Sequence, residues 1–248
     1  MRPRPGDGRP TATIGEMTLP AHVAAAGDTA WMRSLRGRFV VFDGPDGSGK
    51  STQFRRFSDI ARAAGVEVVE VREPGGTPIG EKVRAILLDP ANAEMTTRSE
   101  MLLYMASRAQ LFEQRIAPAI ASGAMVLADR FISSTLAYQG TAGGLREDEI
   151  LAVGEVATGN RWPDLTVVFD VSTEVAMKRL SPLLDRMEQK GVEFHGRVRA
   201  GYAAQARRWP DRYATVDSSV GPDEVTASLL RAVREWSVRA GTRAHAPA

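Results

Sequence analysis

The chain has 248 residues, of which 43% are hydrophobic and 25% are charged, and this composition fits one domain with a core large enough to need no cross-links. Cysteine is absent, which excludes disulfides, thiolate metal sites and thiol nucleophiles. The formal net charge is only +2, and no apolar run approaches the roughly 18 residues that cross a bilayer. We therefore expect a cytoplasmic protein with no nucleic-acid or membrane partner.

The first 36 residues differ in composition from the rest of the chain. They are rich in Pro, Gly, Arg and Ala and show no sustained apolar period. A segment of this kind cannot bury enough apolar surface to offset its loss of conformational entropy. We predict a flexible extension over residues 1–36, although a misplaced start codon would explain it equally well. The folded domain is predicted over residues 37–242, followed by a tail at 243–248.

From Arg38 onward, short β-branched runs alternate with longer stretches of helical periodicity. This alternation is typical of βαβ units, and it predicts an α/β fold with a parallel sheet of about five strands flanked by helices. The predicted strands cover residues 39–42, 66–71, 125–128, 165–171 and 214–216. The predicted helices cover residues 50–64, 79–88, 98–121, 146–157, 173–180, 193–207 and 223–239.

The strongest motif follows the first predicted strand. It reads Gly44-Pro-Asp-Gly-Ser-Gly-Lys-Ser-Thr52 and satisfies G-x-x-x-x-G-K-[ST]. This motif between a predicted strand and a predicted helix makes the predicted α/β fold one of the P-loop NTPase type. Its glycines allow backbone N–H groups to surround phosphates, and the next helix points its positive end at the same anion. Lys50 would neutralise the β and γ oxygens of ATP, and Ser51 would offer a hydroxyl to Mg²⁺. The predicted ATP-binding residues are Gly44, Pro45, Asp46, Gly47, Ser48, Gly49, Lys50, Ser51 and Thr52. The motif leaves open whether the acceptor is water, another nucleotide or a different small molecule.

Three later segments bear on the acceptor. They are Arg72-Glu-Pro-Gly-Gly-Thr77, Tyr104-Met-Ala-Ser-Arg108 and Asp129-Arg-Phe-Ile-Ser-Ser-Thr-Leu-Ala-Tyr-Gln-Gly140. Tyr104 and Arg108 are four residues apart, so on a helix they can offer a ring and a forked donor to one planar ligand. Arg72 and Arg130 follow predicted strands, at the sheet edge where open α/β folds place ligands, and they can clamp a phosphate.

Each segment also has a purely structural interpretation. Tyr104 can be a core residue beside a solvated Arg108. The hydroxyls between residues 133 and 140 can serve only as helix caps. Asp129 and Arg130 can form structural ion pairs.

Together with the P-loop, these segments resemble bacterial thymidylate kinases, from about Arg38 to the final helix. The resemblance implies that the chain phosphorylates dTMP to dTDP with ATP and Mg²⁺, in dTTP biosynthesis, and that it forms a homodimer. Two alternatives stay open: a kinase for another deoxypyrimidine monophosphate, and a nucleotide-binding P-loop module with little turnover.

The resemblance also implies roles for individual residues. Tyr104 would stack on thymine, Arg108 would bond its O4, and Thr135 and Gln139 would help to read the base. The Tyr138 ring would occlude a ribose 2′-hydroxyl. The remaining roles are Asp46 on the 3′-hydroxyl, Arg72 and Arg130 on the acceptor phosphate, and Asp129 on Mg²⁺ through water.

A mobile lid is predicted at about residues 181–192, where Asp185-Arg-Met-Glu-Gln189 resembles the lid of the family. Some members carry a catalytic Arg in the P-loop directly after the acidic residue, but here Gly47 occupies that position. The lid would then supply the cation, with Arg186 as first candidate and Arg179 as a second contact to ATP. Alternatively, Arg186 is a surface charge paired with Asp185 or Glu188. The predicted catalytic residues are Lys50, Asp129, Arg130 and Arg186.

Overall fold

A computed structural model describes residues 20–179 and 185–244. Its centre is a sheet of five parallel strands in the order β2-β3-β1-β4-β5, which confirms the predicted P-loop-type α/β fold. The strands are β1 Phe39–Asp43, β2 Val68–Arg72, β3 Met125–Asp129, β4 Leu165–Asp170 and β5 Tyr213–Asp217. All five predicted strands are present, with ends shifted by a few residues.

The α-helices that flank the sheet cover, in order, all seven stretches for which the sequence predicts a helix. They are α1 Ala21–Ala24, α2 Lys50–Ala63, α3 Pro78–Leu88, α4 Thr97–Leu111, α5 Ala117–Ala121, α6 Ile132–Thr135, α7 Glu147–Thr158, α8 Thr173–Lys178, α9 Val192–Arg208 and α10 Pro222–Ala244. Short 3₁₀ helices cover Ala30–Leu35, Pro90–Asn92 and Glu188–Lys190, and π-helical turns cover Phe112–Ile116 and Leu136–Ala142. Within the described ranges, no helix has the length and apolar character needed to cross a membrane.

Two helical regions differ from the prediction. The helix predicted over residues 98–121 is divided into α4 and α5 by the π-helical turn at Phe112–Ile116. Pro118 follows that turn, and because proline has no N–H to donate, regular α-helical bonding is interrupted there. The helical stretch from Ile132 to Ala142 was not predicted, since its small and polar residues carry little apolar periodicity.

Both faces of the sheet are buried, which accounts for the near-continuous apolar strands. On β1, Val40 and Phe42 point into a cluster that α2 and α10 cover. Phe39 and Val41 point to the opposite face, where α4, α5 and α7 pack. Successive side chains of a strand alternate between faces, so this one strand anchors both layers.

Residues 20–36 belong to the fold, which differs from the predicted boundary of the extension. Met32 and Leu35 are fully buried in the cluster between α2 and α10. Arg33 and Arg36 donate to the carbonyl oxygens of Ala64 and Gly65 at the end of α2 (3.2 and 2.8 Å). Two buried side chains are too few to give a readable period, yet they fill this edge of the core. Residues 1–19 of the predicted extension lie outside the described residues, as do residues 181–184 of the predicted lid and 245–248 of the tail.

Candidate active site

The P-loop connects β1 to α2 and closes tightly on its neighbours. Gly44 has a φ of +134°, and a Cβ at this position would lie 2.5 Å from the carbonyl oxygen of Phe169. Gly47 also has a positive φ, and a side chain there would meet the backbone of Ala176. Only glycine satisfies both the dihedral and the close approach. The loop therefore packs closely against β4 and α8, and it leads directly into the start of α2.

Lys50 lies inside this loop rather than in solvent. Its Nζ donates to the carbonyl oxygens of Gly44 (3.0 Å) and Pro45 (2.9 Å). Burial is the main reason why the pKa of Lys50 falls to about 8; the nearby Arg130 also lowers it, and Asp46 opposes the shift. The pocket around the loop is also lined by Ser51, Thr52, Asp129, Arg130, Arg179 and Glu188. Of the predicted ATP residues, Arg179 and the loop from Asp46 to Thr52 line this pocket, whereas Gly44 and Pro45 do not.

The same pocket contains a carboxylate oxygen with no partner. Oδ1 of Asp129 is buried and accepts no hydrogen bond from any described residue. An orphaned carboxylate oxygen on a residue that lines the same pocket as Ser51 fits Mg²⁺, which keeps several waters and takes few protein ligands. Residues 20–179 and 185–244 contain no group of three or more acidic, His or Cys side chains that could enclose a metal.

A second pocket adjoins the first, and Asp46 and Arg130 line both. Asp46 accepts hydrogen bonds from the Arg130 guanidinium and from the Tyr138 hydroxyl (2.7 Å). Burial alone would raise the pKa of Asp46, but the charges of Arg130 and Lys50 outweigh it and lower the pKa to about 2. Asp46 is therefore an ionised acceptor at the boundary of the two pockets.

Arg130 occupies an unusual backbone conformation. Its φ of +68° lies in the left-handed region, which L residues other than Asn and Asp rarely adopt. The strain is offset by bonds from its guanidinium to Asp46, the Gly44 carbonyl (3.2 Å) and the Ser134 hydroxyl (3.0 Å). The conformation turns the side chain back over the P-loop, where a guanidinium can contact phosphates on both sides.

The buried Asp43 carboxylate connects β1 to two helices beside the pockets, a role that was not predicted from the sequence. It accepts from the hydroxyls of Ser133 (2.6 Å), Ser134 (2.8 Å) and Tyr202 (2.6 Å). These bonds join the end of β1 to α6 and α9. The available signal was the position of Asp43, an acidic residue at the carboxyl end of an apolar strand directly before the P-loop.

The second pocket contains most of the predicted base-reading residues. Tyr104, Thr135, Tyr138 and Gln139 line it. Further lining residues, not predicted, are Glu73, Pro74, Arg84, Leu88, Ser134, Asp185 and Met187. Arg84 stands in the wall from α3, where Nη1 donates to the carbonyl of Pro74 (2.9 Å). It lies outside every motif of the sequence, so only the fold reveals it.

Arg108 lies behind the wall of this pocket, not on its surface. It pairs with the buried Glu73 (2.6 Å) and donates to the Thr135 hydroxyl (3.2 Å). Burial raises the pKa of Glu73 to about 7, although the Arg108 charge opposes this shift. The Arg108 guanidinium also stacks over Phe131, 4.9 Å from the ring centroid. The structure therefore gives Arg108 contacts to two pocket residues, Glu73 and Thr135.

Two other predicted site arginines, Arg72 and Arg186, line neither the P-loop pocket nor the second pocket. Arg72 is the last residue of β2 and pairs with both carboxylate oxygens of Glu81 (2.9 Å each). Arg186 is buried, pairs with Glu100 (2.6 Å) and donates to the carbonyl oxygen of Leu87 (2.8 Å). Arg186 follows the Asp185 turn, and that turn directs its side chain onto α3 and α4 instead of the P-loop. Arg179 is the predicted lid-region cation that does line the P-loop pocket.

Comparison with known proteins agrees with this architecture. Residues 42–229 match the family model of thymidylate kinase. A thymidylate kinase of Symbiobacterium thermophilum is 44% identical over 210 residues, which cover 83% of this chain and 98% of the relative. One from Geobacillus sp. is 41% identical over 205 residues, covering 81% of this chain and 98% of the relative. The crystal structure of the Ehrlichia chaffeensis thymidylate kinase, 30% identical, superposes with a TM-score of 0.67 over 80% of this chain and 99% of that one. The chain belongs to the thymidylate kinase family.

Proposed function

We propose that this chain transfers the γ-phosphate of ATP to dTMP, giving ADP and dTDP in the path to dTTP. As a member of its family it is an ATP-dependent nucleoside-monophosphate kinase. The observation that carries the proposal is the junction of two pockets, a P-loop pocket and a polar pocket with an aromatic wall, at the Asp46–Arg130 pair. With ATP in the first pocket and dTMP in the second, the donor and acceptor phosphates would lie on either side of one guanidinium.

Phosphoryl transfer from ATP to dTMP requires no covalent intermediate with the protein. An oxygen of the dTMP phosphate, already anionic, attacks the γ-phosphorus while the bond to the bridging oxygen of ADP breaks, so no strong base is needed. Lys50 and Arg130 stabilise the charge that spreads over the transferred group, because they are fixed in place before the reaction. Tyr104 and Tyr138 hold the acceptor, and Asp46 accepts from its 3′-hydroxyl, in competition with Tyr138.

Mg²⁺ belongs to this proposal through Ser51 and the free oxygen of Asp129. When bound, the ion neutralises charge on the β and γ oxygens of ATP. Residues of the predicted lid, with Asp185 and Met187 in the wall of the acceptor pocket, would exclude water, which otherwise competes as acceptor. Arg179, at the rim of the P-loop pocket, is the proposed lid-side cation.

We also propose a homodimer in the cytoplasm, where ATP and dTMP are available. Support for a dimer comes from exposed apolar side chains on three neighbouring helices. The helix α4 packs against both α3 and α7. The exposed side chains are Ile79, Ile86, Leu102 and Val156. Exposed apolar residues on adjoining helices are typical of a face that another subunit covers.

A coupled ADP-release assay tests the activity. The acceptors are dTMP, dUMP, dCMP, UMP, GMP and AMP, with a reaction lacking acceptor and a Lys50→Met variant as controls. We expect dTMP to give the highest kcat/KM and the Lys50→Met variant to be nearly inactive. Preference for another monophosphate would make the chain a different nucleotide kinase, and ATP binding without turnover would make it a nucleotide-binding module.

A further inference from the structure

Three residues of α4 stand in one row beside the acceptor pocket. Glu100, Tyr104 and Arg108 are spaced four residues apart, so they lie on one face of the helix. The facing stretch α6 and its π-helical continuation present Thr135 and Gln139, also four apart. The two rows meet pairwise: Glu100 with Gln139, and Arg108 with Thr135. Two groups of opposite charge thus contact the two polar side chains, on either side of Tyr104.

The first pair fixes the orientation of an amide. Nε2 of Gln139 donates to Oε1 of Glu100 at 2.6 Å, and both side chains are buried. An ionised carboxylate can only accept, so the amide must turn its nitrogen towards Glu100. The carbonyl oxygen on the other branch of the amide is then the group that Gln139 offers to a ligand in the pocket it lines.

The second pair fixes a hydroxyl in the opposite sense. Nη2 of Arg108 donates to Oγ1 of Thr135 at 3.2 Å. A guanidinium has no acceptor, so Thr135 cannot direct its proton to Arg108. That proton is the group that Thr135 can donate elsewhere, and Thr135 also lines the pocket. The wall therefore presents a donor at Thr135 and an acceptor at Gln139.

We propose that Glu100 is a positioning residue that fixes the orientation of the Gln139 amide, and that this orientation makes the acceptor pocket accept thymine or uracil and reject cytosine. The inference rests on the proposed function. Thymine and uracil offer an acceptor at O4 beside a donor at N3–H, which complements the order of Thr135 and Gln139. Cytosine has the reverse order, an amino donor beside an acceptor nitrogen, and would leave both protein groups unpaired.

Two residues of the predicted lid hold Glu100 in place. Arg186 contacts its Oε2 at 2.6 Å, and Lys190 lies 3.3 Å from the same oxygen. Two cations thus balance a carboxylate that is only 1% exposed. Arg186 would therefore contribute to base selection, because it keeps the Glu100 carboxylate fixed while Gln139 bonds the other oxygen.

The test is the Glu100→Gln variant, whose amide can either donate to Gln139 or accept from it and so no longer fixes the Gln139 orientation. We measure kcat/KM for dTMP, dUMP and dCMP, together with the melting temperature. The preference for dTMP over dCMP should fall by about 10- to 100-fold, since a hydrogen bond to a charged group is replaced by a neutral one. The ratio of dTMP to dUMP should stay unchanged, because both bases carry N3–H. The matched control is Glu113→Gln, an exposed residue in the π-helical turn that follows α4, which should leave all three values at the wild-type level.

A swapped variant, Glu100→Gln with Gln139→Glu, gives an independent test and covers the case in which the single variant does not fold. The carboxylate introduced at position 139 would accept from the amide introduced at position 100 and still present an acceptor oxygen to the base. The carbonyl of that new amide would accept from Arg186. Preference for dTMP over dCMP should therefore return towards the wild-type value.

Three outcomes would overturn the proposal. They are equal losses for all three nucleotides in the single variant, unchanged ratios in that variant, and a swapped variant that still fails to discriminate. Lack of dTMP turnover in the wild-type protein would instead reject the proposed function.

Discussion

The Arg130 guanidinium and the Asp46 carboxylate form an ion pair at the boundary between the P-loop pocket and the acceptor pocket, and both side chains line both pockets. The pair holds a forked cation between the positions proposed for the two phosphates. Arginine fits this place better than lysine because its donors are arranged in a planar fork that can bond several oxygens at once.

The first prediction concerns this fork. Arg130→Lys keeps the charge but loses the bonds to the Gly44 carbonyl and Ser134. We expect kcat to fall by about 10² to 10³, the loss typical for one preorganised donor in a transition state. Steady-state kinetics and a melting curve measure the effect. Arg146→Lys, at an exposed pair with Asp148, is the matched control and should retain activity. Wild-type kcat in Arg130→Lys would show that charge alone suffices at this position.

The second prediction follows from Lys50. Burial lowers its pKa from 10.5 to about 8 in the ligand-free protein, so the ammonium loses its proton as pH rises through 8. Bound ATP places negative charge beside Nζ and favours the protonated form. ATP binding should therefore take up a proton at pH of about 8.5 to 9 and little at pH 7, and ATP affinity should decline above pH 8. Isothermal titration calorimetry in buffers of different ionisation enthalpy measures the uptake; equal heats at the higher pH would contradict the prediction.

The third prediction separates the two arginines of the lid region. Removing Arg186 leaves Glu100 buried with Lys190 as its remaining cation, and breaking a buried ion pair typically costs about 3–5 kcal/mol. Arg186→Met should therefore lower the melting temperature clearly. Arg179→Met, at an exposed residue on the rim of the P-loop pocket, should lower turnover at a nearly unchanged melting temperature. If Arg186→Met melts normally but loses turnover, the catalytic role expected from the sequence is right after all.

The contrast between Arg179 and Arg186 shows which features local sequence patterns predict and which they do not. The five strands, most of the helices and the P-loop at the end of β1 follow from local patterns, and the structure has them close to where they were predicted. The grouping of Tyr104, Thr135 and Gln139 was implied by the family resemblance; four-residue spacing alone related only Tyr104 to Arg108 and Thr135 to Gln139. The orientation of Arg186 depends on one turn and on a partner, Glu100, that lies 86 positions earlier in the chain. No local pattern encodes such a pairing.

The predicted start of the domain at residue 37 differs from the structure for a related reason. Composition averages over a segment, whereas Met32 and Leu35 act individually by filling the end of a core formed by distant helices. Composition also gave no sign of the hydrogen bonds that fasten Arg33 and Arg36 to the end of α2.

The fourth prediction tests that boundary. Met32→Ala and Leu35→Ala should each destabilise the protein by about 2–5 kcal/mol, because each leaves a cavity in a closed core. A variant starting at residue 37 should melt well below one starting at residue 20, which retains the packed segment. Chemical denaturation and thermal melts of the four proteins measure the losses. Equal stability of the two truncated variants would mean that residues 20–36 contribute no net stability.

The last prediction concerns the proposed dimer face. Leu102 is 49% exposed on α4, between Glu100 and Tyr104 in sequence but on the opposite side of the helix from the acceptor pocket. Leu102→Glu would place a charge in an apolar interface, so sedimentation equilibrium should show a monomer where the wild-type protein is a dimer. Val238→Glu, at a 61% exposed position of α10, is the matched control and should leave the dimer intact. Because α4 also carries the row of Glu100, Tyr104 and Arg108, loss of the partner should raise KM for dTMP more than KM for ATP. A monomeric wild-type protein, or a Leu102→Glu variant that remains dimeric, would place the interface elsewhere or remove it.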